Sequence, residues 1–169
     1  SLDTLPQEYS TCGVGDFRLP SAEAEQADGS LLLDLRFAGG EIRAGKYALE
    51  GLPAFFGDSW ETLSVRLRDP HSGMEAELLY GVDEEDDLIT RAVRLINRGK
   101  ETVRLRRVMS FCLDFRGADM DLITFDGGHV RERRPARAPL RPGVQSVGSL
   151  RGTSSHQHNP FVILCGHDT

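Results

Sequence analysis

Cysteine, lysine and tryptophan are all scarce in this chain. Three cysteines, at positions 12, 112 and 165, cannot all pair with one another, and no Cys-x-x-Cys spacing exists to hold zinc or run dithiol chemistry. Free, mostly buried thiols in a reducing compartment are the expectation. No stretch approaches the roughly 18 uninterrupted apolar residues of a membrane helix, and nothing at the start reads as a secretion signal, so no membrane partner is expected. No window of about 11 to 18 residues carries a helical stripe, and no internal repeat or low-complexity tract appears.

What is present is charge, unevenly spread. Residues 1–83 carry 6 basic and 15 acidic side chains, whereas residues 84–169 carry 14 basic and 11 acidic, and eighteen of the twenty cations are arginine. A nucleic-acid reader would interleave cations with aromatics on one surface; only Arg131, Arg133, Arg134, Arg137 and Arg141 come close. Guanidinium forks suit carboxylates across a protein interface at least as well. Nucleic acid is therefore not an expected partner, and the arginine run reads as a domain or subunit contact.

The hydrophobic pattern has a period of two. Leu31, Leu33, Leu35 and Phe37 alternate with Asp34 and Arg36. The same alternation runs through Leu63–Leu67, Met74–Val82, Ile89–Leu95 and Val103–Phe115, the longest stretch. Between these lie turn words: Asp28-Gly29, Gly39-Gly40, Asp69 to Gly73, Asp83 to Asp87, Asn97 to Lys100 and Gly127-Gly128. Short reversals make the strands antiparallel, and many short strands with a turn every ten residues or so predict an all-β, antiparallel β-sandwich. Three prolines between Arg131 and Leu150 predict a long irregular loop region near residues 127–160. Phe161 to Cys165 is a continuous apolar run suited to a strand buried on both sides.

Candidate chemistry is thin. His156 and His158, at i and i+2, could ligate one ion, but the further zinc ligands are not identifiable; His129, Asp126 or Asp168 would have to be folded near. The alternative is that Ser154 to Asn159 satisfy their own loop backbone before Pro160. Ser110, His129 and Asp114 form a triad on paper without a nucleophile elbow, and Gly13-Val14-Gly15 lacks a third glycine. No metal and no cofactor is expected. Trp60, beside Phe55, Phe56 and Asp58, can cap the end of the sandwich. It can also stack on a sugar ring while Asp58 accepts the sugar's hydroxyl hydrogen bonds, which makes Asp58 and Trp60 the candidate substrate-binding residues.

Several words occur together: Asp3 to Tyr9, Gly15-Asp16-Phe17-Arg18, Leu49 to Ala54, Ile89-Thr90-Arg91, Arg141 to Ser146, and above all Arg151 to Phe161. In these the chain resembles, over nearly its whole length, the N-terminal domain of bacterial α-galactosidases of glycoside hydrolase family 36. The resemblance implies a β-sandwich, or supersandwich, placed before a (β/α)₈ barrel. Residues 1–169 would then form a domain truncated at both ends, with the barrel absent. It implies a bacterial cytoplasmic enzyme that hydrolyses raffinose- or melibiose-type α-galactosides with retention, using two carboxyls about 5 Å apart. Both belong to the barrel. The nucleophile's Lys-x-Asp word is missing, since Lys46 and Lys100 are followed by Tyr47-Ala48 and Glu101-Thr102. No catalytic residue is therefore expected here, and the segment alone should be inactive. The expected partners are its own barrel, the galactoside held by that barrel, and neighbouring subunits of a homotetramer, one of whose N-terminal domains can approach the active-site mouth. Arg131, Arg134, His156, His158 and Asn159 are the candidate domain-contact residues. The competing readings are a stand-alone carbohydrate-binding sandwich that uses Asp58 and Trp60, and a zinc hydrolase that uses His156 and His158.

Overall fold

A computed structural model describes residues 5–13, 15, 18–115, 117, 119–149 and 157–168. Among them there is no helix, only nine strands in antiparallel sheets, as the period of two requires. They fall in two compact units, residues 1–114 and 115–169.

The first unit is a sandwich. β2 (Arg36–Ala44), β3 (Trp60–Arg68), β4 (Met74–Asp83) and β5 (Leu88–Asn97) make a four-stranded meander in that order. β1 (Ala22–Glu25) and β6 (Arg104–Val108) form a two-stranded sheet across from it. Alternation sends Met74, Ala76 and Leu78 inward against Ala22, Ala24, Tyr9 and Leu33, with Val65, Leu67, Val93 and Leu95 packed around them. Further along β4 the opposite face is covered: Leu79 packs with Ala92, Tyr47 and Leu49. Each face of the meander is thus buried over a different half of its length. Glu77 lies between Arg66 and Arg94 in register and pairs with Arg94, an opposite-charge cross-strand pair.

Several expectations differ in detail. The alternating run from Leu31 becomes a strand only at Arg36, and the bulge between Phe37 and Gly39 places Gly39-Gly40 inside β2 rather than in a turn. The bulge shifts the register, which leaves Phe37 facing solvent. The longest run stops at Val108, because its partner β1 is four residues long; Met109 N–H makes a last bond to Ser21 O, and Phe111 and Leu113 lie exposed beyond it.

In the second unit, β7 (Asp121–Gly128) sits between β8 (Arg131–Pro139) and β9 (Ile163–Cys165). The irregular region expected near 127–160 is therefore interrupted by a nine-residue strand. Its prolines are tolerated because β8 is an edge, where a missing N–H can face away from the ladder. The Phe161 to Cys165 run is a three-residue strand on the other edge, partly exposed rather than buried on both sides. Cys12, Cys112 and Cys165 form no disulfide; Cys12 is exposed and the other two are half-buried, rather than mostly buried as expected.

Candidate functional site

The loop before β3 carries the first candidate. Trp60 opens the strand, and its side chain is inside the protein, at 2% exposure. The Phe55 ring lies 5.9 Å from it, and the Lys46 ammonium sits 5.4 Å from its ring and 3.1 Å from that of Tyr47. Burial among these groups lowers the Lys46 pKa. Gly57 has φ 153°, and a Cβ there would meet the indole Nε1 at 2.9 Å, so only glycine lets the loop close over the ring. Trp60 therefore anchors the loop. What the loop shows to solvent is Phe56, at 91% exposure, with Phe55 half-exposed and Asp58 exposed. Beside it Asp83 accepts hydrogen bonds from Ser59 Oγ at 2.8 Å and from the Glu85 N–H, tying the loop to the β4–β5 hairpin.

The second candidate is built on β7. The segment from Gln157 runs alongside it: Gly127 N–H donates to Gln157 O, Asn159 N–H donates to Phe125 O, and the Phe125 and Phe161 rings lie 4.6 Å apart. This brings His158 Nδ1 to 2.8 Å from Asp126 Oδ1. Asp126 is one of the residues that the sequence could only nominate as a neighbour. His156 lies outside the described residues. The Asn159 side-chain Oδ1 is buried without a partner. Across the β7–β8 hairpin, Asp126, His129, Arg131 and Arg134 line a shallow groove of about 550 Å³. The hairpin is bent sharply, with Val130 at φ 67° and Arg133 at φ 56°. Positive φ is costly for non-glycine residues, most of all a β-branched one, and such strain persists only where the surroundings impose it. Among the described residues, no group of three His, Cys, Asp or Glu could hold a metal ion.

Two clusters were not found by sequence reasoning. On the inner face of the first unit, Arg91 forms an ion pair with Glu8 Oε1 at 2.7 Å and sits over the Tyr80 ring, whose hydroxyl donates to the same carboxylate. Burial, then the bond to Glu8, raises the Tyr80 pKa; burial likewise pushes Tyr9 up to about 12. The signal was available, because Glu8 and Arg91 both sit in words that carry the family resemblance. In the second unit, His167 bridges Asp121 and Asp119, each at 2.7 Å, and Arg137 Nε donates to Asp121 at 2.6 Å. No spacing in the sequence hints at it.

Asp28 and Asp121 both have carboxyl pKa values held below the usual range, Asp28 chiefly by the Ser30 backbone N–H and Asp121 chiefly by Arg137. A glycosidase's general acid needs a shift in the opposite direction. These carboxylates brace the fold.

The architecture defines the class: an all-β antiparallel sandwich domain. The family model of the glycosyl hydrolase family 36 N-terminal domain matches residues 1–169, and the chain belongs to that family. It is 46% identical over its full length to the bifunctional alpha-galactosidase/sucrose kinase AgaSK of Mediterraneibacter gnavus, covering 18% of that protein. It is 44% identical to alpha-galactosidase 1 of Pediococcus pentosaceus, covering 24% of it. The crystal structure of an alpha-galactosidase AgaA variant from Geobacillus stearothermophilus in complex with raffinose superposes with a TM-score of 0.96 at 43% identity, over 99% of this chain and 24% of that one. The chain thus spans about a fifth to a quarter of the length of these relatives.

Proposed function

We propose that this chain is the non-catalytic N-terminal β-sandwich of a retaining α-galactosidase acting on raffinose-type α-galactosides. The observation that carries this is the match along the entire chain to alpha-galactosidases several times longer, joined to the missing Lys-x-Asp word. The bond-breaking carboxylates then lie on other polypeptide, in a barrel domain, and the sandwich supports and shapes their site from a bacterial cytoplasmic homo-oligomer.

Two surfaces serve that role. The groove side of the β7–β8 hairpin, with Arg131 and Arg134, together with His158 and Asn159, is the domain contact; its exposed arginines, strained turn and partnerless Asn159 oxygen support this reading. The loop held by Trp60 presents Asp58 and Phe56 to substrate at the mouth of an active site. The longer polypeptide should release galactose from raffinose while residues 1–169 alone release none. Hydrolysis by the isolated chain would overturn the proposal. So would a longer polypeptide without galactosidase activity.

A further inference from the structure

Among the described residues, Arg91 is the only arginine with buried side-chain donors that lack a partner. It is 8% exposed, and its Nη1 is used by Glu8, yet Nε and Nη2 are buried and have no hydrogen-bond partner. These two N–H groups point along the same edge of the guanidinium, the edge that grips a carboxylate with two parallel bonds. Leaving them dry and unpaired is costly, because desolvated donors lose water and gain nothing in return. Glu8 engages only Nη1: its carboxylate also accepts from the Tyr80 hydroxyl and is more than half exposed.

The orientation is set. The guanidinium carbon lies 4.0 Å from the Tyr80 ring centroid and 5.4 Å from that of Phe111. Tyr80 belongs to β4 in the middle of the meander and cannot move. Phe111 belongs to the irregular run after β6, pairs with no strand and is 51% exposed. Of the two rings it is the one free to be displaced. On the same face, one register step along, Val82 and Ile89 pair and are exposed, so apolar surface borders the buried arginine, as at an interface hot spot.

We propose that the free Nε and Nη2 edge of Arg91 is a socket for a carboxylate side chain carried by the polypeptide that the longer relatives have beyond this region. Charge complementarity selects the chemistry, and the relatives supply the source, since more than three quarters of their length lies outside the matched span. On docking, Phe111 swings aside and packs on the incoming segment, while the acidic side chain completes the pairing that Glu8 begins. The inference rests on the proposed placement of this chain in a longer enzyme.

The test compares Arg91→Met, Arg91→Lys and Glu8→Gln by thermal unfolding, in the longer polypeptide and in the isolated chain. In the isolated chain Arg91→Met should leave the midpoint unchanged or raise it, because it removes two dry donors. In the longer polypeptide it should lower the midpoint by more than Glu8→Gln does. Arg91→Lys should recover only part, since an ammonium cannot make the paired bonds. Equal losses from Arg91→Met and Glu8→Gln in the longer polypeptide would overturn the socket, as would an Arg91→Met loss of the same size in both lengths. An isolated Arg91→Met chain that fails to fold counts with the latter. Sedimentation showing an isolated-chain dimer that Arg91→Met dissociates would assign the edge to a second copy and also overturn it. Raffinose hydrolysis is read separately: its absence from the wild type would sink the enzyme assignment and leave the unfolding contrast to judge the socket.

Discussion

Asp69 organises a whole reversal from one buried carboxylate. It accepts the His71 N–H and the Ser72 hydroxyl, each at 2.8 Å, while its own N–H closes the turn on Met74 O. Replacing it by Ala leaves the Ser72 and His71 groups without their partner at the mouth of the β3–β4 hairpin. Asp69→Ala should cost about 1–3 kcal/mol, measured as a lowered urea midpoint. His167 tests a second residue-scale argument. Both ring nitrogens face carboxylates, and only the imidazolium can donate to both. Asp119, then Asp121, raise its pKa above the ordinary 6.5, so its stabilisation is complete below that pH and is lost as pH rises through the higher folded value. Asp121 is lowered from 3.8, so its contribution is present above that pH and fades as pH falls through the lower folded value. The second unit should therefore be held best between about pH 4 and 6.5. His167→Gln should flatten the alkaline side of a melting-versus-pH curve; an unchanged alkaline slope would refute the clamp.

At the scale of elements, burial separates strands that carry stability from strands that carry surface. Leu78 is fully buried at the centre of the meander, whereas Ile42 on the edge strand β2 is 71% exposed. Leu78→Ala should cost about 2–5 kcal/mol in urea unfolding. Ile42→Thr should stay within about 0.5 kcal/mol in the same assay. The alternation in β3, β4 and β5 was legible because each has a partner on both sides or a closed hairpin, so period and turn chemistry agree. The late start of the strand after Leu31 and the early end of the run from Val103 are not legible, because neither the bulge at Gly39 nor the shortness of β1 can be read from the alternating residues themselves. β8 is not legible in the sequence because its prolines argue against a strand, and only the sheet order shows that Arg131–Pro139 is an edge that tolerates them.

For the whole molecule, the arginine run is predicted to matter only in the longer protein. Arg134→Glu should leave the isolated chain's melting unchanged, because among the described residues Arg134 makes no ion pair and it lies exposed. In the longer polypeptide the same substitution should lower the melting midpoint, the charge reversal acting at the domain contact. Equal behaviour in the two settings would remove that surface from the contact.

The sequence by itself determined the class of fold, the lack of a Lys-x-Asp nucleophile word and the family, because hydrophobic period, turn residues and contiguous words are local properties of the chain. Only tertiary structure decided that Trp60 faces inward, that Asp126 meets His158, that His167 sits between two carboxylates and that Arg91 keeps two donors unused. Each of these depends on distances between residues far apart in sequence, which strand pairing and packing set and no local pattern encodes.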